Sequence, residues 1–155
     1  MKQHPNKKER LLDAAAQAFW LDGYAPTSLA AIAKQADVPV GNVYYYFKSK
    51  AALAEGVADM FVAASTHSLT AIDQSAETPL ERLRAFILML KENAEGRTKH
   101  GCPIANAIRD FSAAAPKAAK RASETFDILI GWISQTLHKA GDRNAIRHAR
   151  TALTR

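Results

Sequence analysis

A single cysteine, Cys102, has no partner for an intramolecular disulfide, so the chain is not one of the small secreted folds stapled by sulfur bridges. A reducing, cytoplasmic setting fits it. Seven glycines and six prolines in 155 residues are too few for a collagenous or low-complexity chain, and most of them fall between periodic segments rather than within them. No strand-like alternation persists. No apolar run is long enough to cross a bilayer either: the basic start followed by LLDAAAQAFWLDGYA has the outline of a signal peptide, but Asp13, Gln17 and Asp22 interrupt it at helical spacing. Also missing are a glycine-rich phosphate loop, a serine on a nucleophile elbow and further metal ligands beside His100 and Cys102. His138 and Asp142, four apart, read as a surface pair, while His67 and His148 stand isolated. Neither an enzyme nor a cofactor or metal site is expected.

What is present is apolar and helical. Residues of hydrophobic type make up 48% of the chain, alanine and leucine fill the periodic stretches, and the expected class is all-α. The net charge of +6 is not concentrated where nucleic acid would need it: residues 1–60 carry seven Lys or Arg against six Asp or Glu, a net of +1. Lys2, Lys7, Lys8 and Arg10 form a basic N-terminal arm that can track a phosphate backbone or enter a minor groove; a solvated terminus is the equal alternative.

The leading helix, Lys7 to Leu21, carries Leu11, Ala15, Ala18 and Phe19 on one face. After it, TSLAAIAKQADVPVGNVYYYFKSK over residues 27–50 reads as two short helices and a tight turn. Thr27 is a good N-cap for the first, with Leu29, Ile32, Ala33 and Ala36 at three-to-four spacing. Asp37-Val38-Pro39 makes the turn, and a second helix starting at Pro39 runs through Phe47 with Val43 and Phe47 inward. Gly41, Asn42, Tyr45 and Tyr46 then look outward with Lys48 and Lys50 beyond, a combination of phenols, an amide and ammonium groups suited to phosphates and base edges.

This segment resembles the helix-turn-helix of the TetR family of transcriptional regulators. The resemblance covers about the first fifty residues and rests on Gly23-Tyr24, Thr27-Ser28, Ile32-Ala33 and the run from Gly41 to Lys50 in that order. It implies that Thr27 and Ser28 present hydroxyls and a helix start to a phosphate, and that the second helix enters the major groove. Gly41 would allow close approach, Asn42 would bond a base or phosphate, and Lys50 would pin a phosphate. Tyr45 and Tyr46 would contact DNA; Tyr44 divides between contact and core. Three positions depart from the family pattern: Asp37 where glycine is common, Pro39 where a serine or threonine usually caps, and Val40 where a polar residue often reaches DNA.

Beyond residue 50 the helices are legible but generic. Ser49 can cap a helix from Lys50 to about Ile72, with Leu53, Val57, Met60, Phe61 and Ala64 on one side. Thr78-Pro79-Leu80-Glu81 is a capping box opening a helix with Leu83, Phe86, Ile87 and Leu90 inward and Gly96 ending it. RTKHGCP reads as a loop, followed by helices from Pro103 or Ile104 to Phe111 and from Pro116 to Lys139, the latter with Phe126, Leu129, Ile130, Ile133 and Leu137 inward and Gly141 as its stop. The last segment, Asp142 to Arg155, places Ile146, Ala149 and Leu153 on one stripe and Arg143, Arg147 and Arg150 on another, read as its solvated face.

The expected organisation is thus a DNA-binding head over residues 1–50 and a helical ligand-binding and dimerisation body over residues 51–155. The resemblance implies a repressor that binds an inverted repeat in double-stranded DNA as a homodimer and is relieved by a small-molecule effector. Phe61, Phe86, Met89, Cys102, Phe111 and Phe126 are candidate pocket residues, with ordinary core packing favoured for each. Cys102, beside a helix start, is either a thiol sensor or, preferentially, a plain buried thiol. The sequence ends inside what resembles the first of the family's two pairing helices, so the chain is expected to be short or incomplete at that end and not to dimerise in the usual way. A ligand-binding or interaction module without DNA binding is the alternative reading, and a small helical enzyme the third.

Overall fold

Helix starts and stops account for most of the architecture, seen in a computed structural model that describes residues 6–92 and 94–153. Asn6 and Glu9 form a reciprocal capping box that opens α1 (Lys7–Leu21). Lys7, Lys8 and Arg10 are therefore helical rather than an arm, and Arg10 lies 3.7 Å from Asp37; Lys2 falls outside the described residues. α2 (Leu29–Gln35) is capped by Ser28, whose hydroxyl accepts the Ala31 N–H, not by Thr27 as the sequence led us to expect. Thr27 is buried and donates its own hydroxyl to the Gly23 carbonyl at 2.6 Å.

α2 ends in a Schellman arrangement: the Val38 N–H reaches the Ala33 carbonyl and the Asp37 N–H that of Lys34, with Asp37 at φ 51° in the left-handed region. Pro39 occupies the N-cap of α3 (Val40–Tyr46) rather than its first turn, and Phe47 closes that helix. Ser49 caps α4 (Lys50–Ser75), and Thr78 with Glu81 forms the expected capping box of α5 (Pro79–Lys91).

The stretch after α5 differs from expectation. Gly96 lies inside a short helix, α6 (Ala94–His100), and the chain turns instead at Gly101, where φ is +80°. A glycine in a helix costs only about 1 kcal/mol relative to alanine, so it marks a stop weakly unless the backbone needs a positive φ. α7 (Pro103–Phe111) and α8 (Pro116–Lys139) begin at their prolines. α8 ends at Gly141 in a second Schellman pair, Gly141 to His138 and Asp142 to Leu137. α9 (Ala145–Leu153) completes nine helices among the described residues, which contain no strand. None is long and apolar enough to cross a membrane.

Packing divides the chain into two units, residues 1–61 with 100–123, and residues 62–99 with 124–155. In the first, Leu11, Ile32, Val43, Leu53, Val57 and Phe111 are wholly buried, and the rings of Phe19, Tyr24 and Phe111 meet with centroids 5.1–5.6 Å apart. Gly56 lets α4 lie close to α1: a Cβ there would come within 2.8 Å of Leu12 Cδ2 and 3.1 Å of Phe47 Cε1. The indole of Trp20 donates to the Gly101 carbonyl at 2.9 Å, fixing the turn before α7.

In the second unit, Leu69, Ile72, Phe86, Ile133 and Ala149 are buried, with Leu83, Leu90, Leu129 and Leu137 packed around them. Two residues expected inward are not: Ile87 and Ile146 are 57% and 63% exposed. Each follows an inward residue, Phe86 or Ala145, and one step rotates the side chain by about 100°. The His138–Asp142 pairing is also absent. Asp142 instead binds His148, Oδ2 to Nδ1 at 2.7 Å, because the turn at Gly141 carries the carboxylate toward α9. That bond, the Asn144 N–H and the nearby charges hold the Asp142 carboxyl below the usual aspartate range.

Candidate nucleic-acid interface

α3 has an inner and an outer face separated by its own periodicity. Val43 and Phe47 are buried in the first unit's core, so Val40, Gly41, Tyr44 and Tyr45, at spacings of one, four and five, share the outer face with Lys48 one turn on. Tyr45 is 76% exposed and Tyr44 53%, whereas Tyr46 packs partly against the core, its ring edge-on to that of Tyr45 at 5.0 Å. Tyr45 faces outward as expected, Tyr44, which divided between contact and core, does so too, and Tyr46, expected outward, is half-buried three residues after Val43 and supports the helix. Asn42 is half-buried, and nothing stands within 4 Å of a Cβ built on Gly41.

Lys50, expected to pin a phosphate, is already held. Its ammonium donates to the Ala25 carbonyl at 3.1 Å and sits 4.3 Å from the centroid of the Tyr24 ring, a cation–π contact. Burial lowers its pKa and raises that of Tyr24. With two of its contacts spent inside the protein, Lys50 ties the start of α4 to the α1–α2 turn. On α2 the exposed hydroxyl is that of Ser28, and Thr27 is a structural residue. Val40, noted in the sequence only for lacking a polar group, is 45% exposed and forms an apolar patch beside the tyrosines.

A family profile described as bacterial regulatory proteins, tetR family, matches residues 11–57, the stretch that builds this face and its support. The chain is 30% identical over 134 residues to an uncharacterized HTH-type transcriptional regulator in the lacX 3′ region of Lactococcus lactis subsp. lactis, covering 85% of this chain and 68% of that protein. The chain belongs to the TetR family of transcriptional regulators. It is also 32% identical over 84 residues to the HTH-type transcriptional regulator TtgR of Pseudomonas putida, spanning 54% of this chain and 40% of that one. Its fold is similar to that of a TetR transcriptional regulator from Legionella pneumophila, with a TM-score of 0.84, 22% identity, and coverage of 98% and 83% of the two chains.

Away from the TetR head, the six candidate pocket residues do not line one site. Phe61, Cys102 and Phe111 belong to the first unit. Phe111 is wholly buried in the aromatic trio, Phe61 packs on the same core, and Cys102 is a half-buried free thiol at the N-cap of α7. Phe86, Met89 and Phe126 belong to the second unit, where the Phe86 ring is buried 5.5 Å from that of Trp132 and Phe126 is half-buried. Met89 borders an open cavity of about 300 Å³, which Ser65, Ser68, Leu69, Glu92, Arg97 and Leu129 also line. Sequence periodicity could not find this lining, since its residues come from α4, α5, α6 and α8 and share no stripe.

Proposed function

We propose that the outer face of α3 reads operator DNA in the major groove. Tyr44 and Tyr45 give phenols to phosphates and ring edges to bases, Val40 meets thymine methyls, and Gly41 allows the backbone to come close. Asn42 bonds a base or phosphate, and Ser28 meets the flanking backbone. The observation that carries this reading is the pair of exposed tyrosines on a helix whose opposite face, Val43 and Phe47, is locked in a core. Aromatic area held rigidly in solvent has no packing role. Residues 1–50 act as the DNA-binding segment, with Thr27, Tyr46 and Lys50 fixing its geometry, and residues 51–155 act as the regulatory segment.

The chain acts as a repressor, and two copies read an inverted repeat. A small amphipathic effector enters the cavity bordered by Leu69, Met89 and Leu129, whose Arg97 and Glu92 supply one charge of each sign. An effector that binds a non-operator arrangement more tightly shifts the population away from DNA by its differential affinity and no more.

The test is selection of bound duplexes from a random pool with the full chain and with a Tyr44→Ala, Tyr45→Ala double variant. An enriched inverted repeat, with affinity reduced roughly tenfold to a hundredfold in a variant of unchanged helicity, is the expected result, from about 1–3 kcal/mol per lost base contact. No enrichment with folded wild-type chain at low salt overturns the reading and leaves a ligand-binding module.

A further inference from the structure

The arginines at the end of the chain do not simply face solvent. Arg143, Arg147 and Arg150 border an open cleft of about 710 Å³ between α8 and α9, whose other wall includes Ser134, Gln135 and His138. This cleft shares no lining residue with the cavity beside Met89. Among the described residues, no Asp or Glu lines it. The acid nearest in sequence, Asp142, has both oxygens engaged, Oδ1 by the Asn144 N–H at 2.8 Å and Oδ2 by His148 at 2.7 Å.

α9 begins at this point: the His148 N–H bonds the Asn144 carbonyl, so the first-turn amides at Ala145, Ile146 and Arg147 have no intrahelical acceptor, and all three residues border the cleft. Positive charge thus arrives from two independent sources, guanidinium side chains and the start of a helix, in a concavity with polar side chains on its far wall. Arg143, in the turn before α9, and Arg147, in its first turn, bring two guanidinium groups to one cleft, which suits two oxyacid groups on one molecule.

We propose that the α8–α9 cleft binds a small organic polyanion, a molecule carrying at least two phosphate or carboxylate groups, with Arg143 and Arg147 as its principal anchors. The guanidinium forks grip oxyanions bidentately, and an anion entering the cleft offsets whatever repulsion their like charges have. The volume matches a small organic molecule rather than a single inorganic ion. The proposal does not depend on the operator reading, because the cleft lies wholly in the second unit.

Calorimetric titration of the full 155-residue chain tests it, with tripolyphosphate and citrate as probes and acetate at matched ionic strength as the singly charged control. Arg143→Gln, Arg147→Gln is the loss variant, Arg143→Lys, Arg147→Lys keeps the charge without the fork, and Arg84→Gln is the remote control. The expected result is saturable binding of at least one polyanion and not of acetate. Affinity should fall roughly tenfold or more in the glutamine pair, less in the lysine pair and not at all in the remote control, as lost charge-assisted hydrogen bonds require.

Equal binding by wild type and glutamine pair overturns the proposal, as does no polyanion binding by a folded wild-type chain at low salt. A third arm uses a short duplex without operator sequence: if its affinity falls by the same factor as tripolyphosphate's in the glutamine pair, the cleft is a nucleic-acid contact and the small-anion proposal fails.

Discussion

The two packing units use similar residues to different effect. In the first, a dozen hydrophobic side chains have no exposed surface, from Leu11 on α1 to Ala122 on α8, and three aromatic rings interlock at their centre. In the second only Ala149 among the hydrophobic residues reaches that state, while Leu80, Ile87, Leu88 and Ile146 are more than half exposed. The buried hydroxyl of Thr125, with no hydrogen-bond partner, also belongs to the second unit. A helix face that holds exposed tyrosines rigidly needs a close-packed support, whereas cavities and clefts require incomplete packing. Rigidity goes with the first unit, open cavities with the second.

The largest expected effect breaks the first side of this comparison. Phe111→Ala removes the ring shared by Phe19 and Tyr24 and should lower unfolding stability by about 3–5 kcal/mol, read by urea denaturation. Phe86→Ala in the looser unit should fall at or below the bottom of that range; equal losses would remove the contrast.

Gly56→Val tests the close approach of α4. With Leu12 and Phe47 already inside contact distance of a Cβ, overpacking should cost about 1–3 kcal/mol, and the same change at Gly131, where a Cβ would meet no packed neighbour within 4 Å, should cost less. Asp37→Gly acts in the opposite direction. It relieves a left-handed aspartate at the α2–α3 turn and should raise stability by about 0.5–1 kcal/mol in thermal melts, the 3.7 Å ion pair with Arg10 being too exposed to offset it.

The smallest effect is a pH response in the second unit. Hydrogen bonds from the Thr78 backbone and side chain hold the exposed Glu81 carboxyl below the usual glutamate range. A folded pKa below the unfolded one contributes stability fully above the ordinary value of about 4.3 and loses it as pH falls through the depressed folded value. The melting temperature should therefore decline through that acid window, and Glu81→Gln should flatten the contribution.

Elements whose start and stop are written in local chemistry were legible in advance. The capping box at Thr78, the prolines opening α7 and α8, and the stop at Gly141 all lie where the residues indicated. The helix-turn-helix was legible for the same reason, its turn and both helices being set within 24 consecutive residues, 27–50. Errors entered where two residues competed for one role. Ser28 took the cap from Thr27, Gly101 the turn from Gly96, and His148 took Asp142 from His138. Of the two tyrosines expected outward, Tyr46 was misread for a related reason. Val43 and Phe47 leave a wide arc, and only the neighbouring core decides that Tyr46 falls at its edge.

What the sequence alone determined was the helical class, most helix boundaries and the family, because these depend on caps, periodicity and motifs read over a few turns of chain. Tertiary structure alone decided that residues 100–123 pack with the N-terminal residues, that Lys50 is tied to Ala25 and Tyr24, and that the last arginines border a cleft. Those outcomes depend on which surfaces meet across dozens of residues, and a one-dimensional pattern carries the face of a helix but not the identity of what that face will touch.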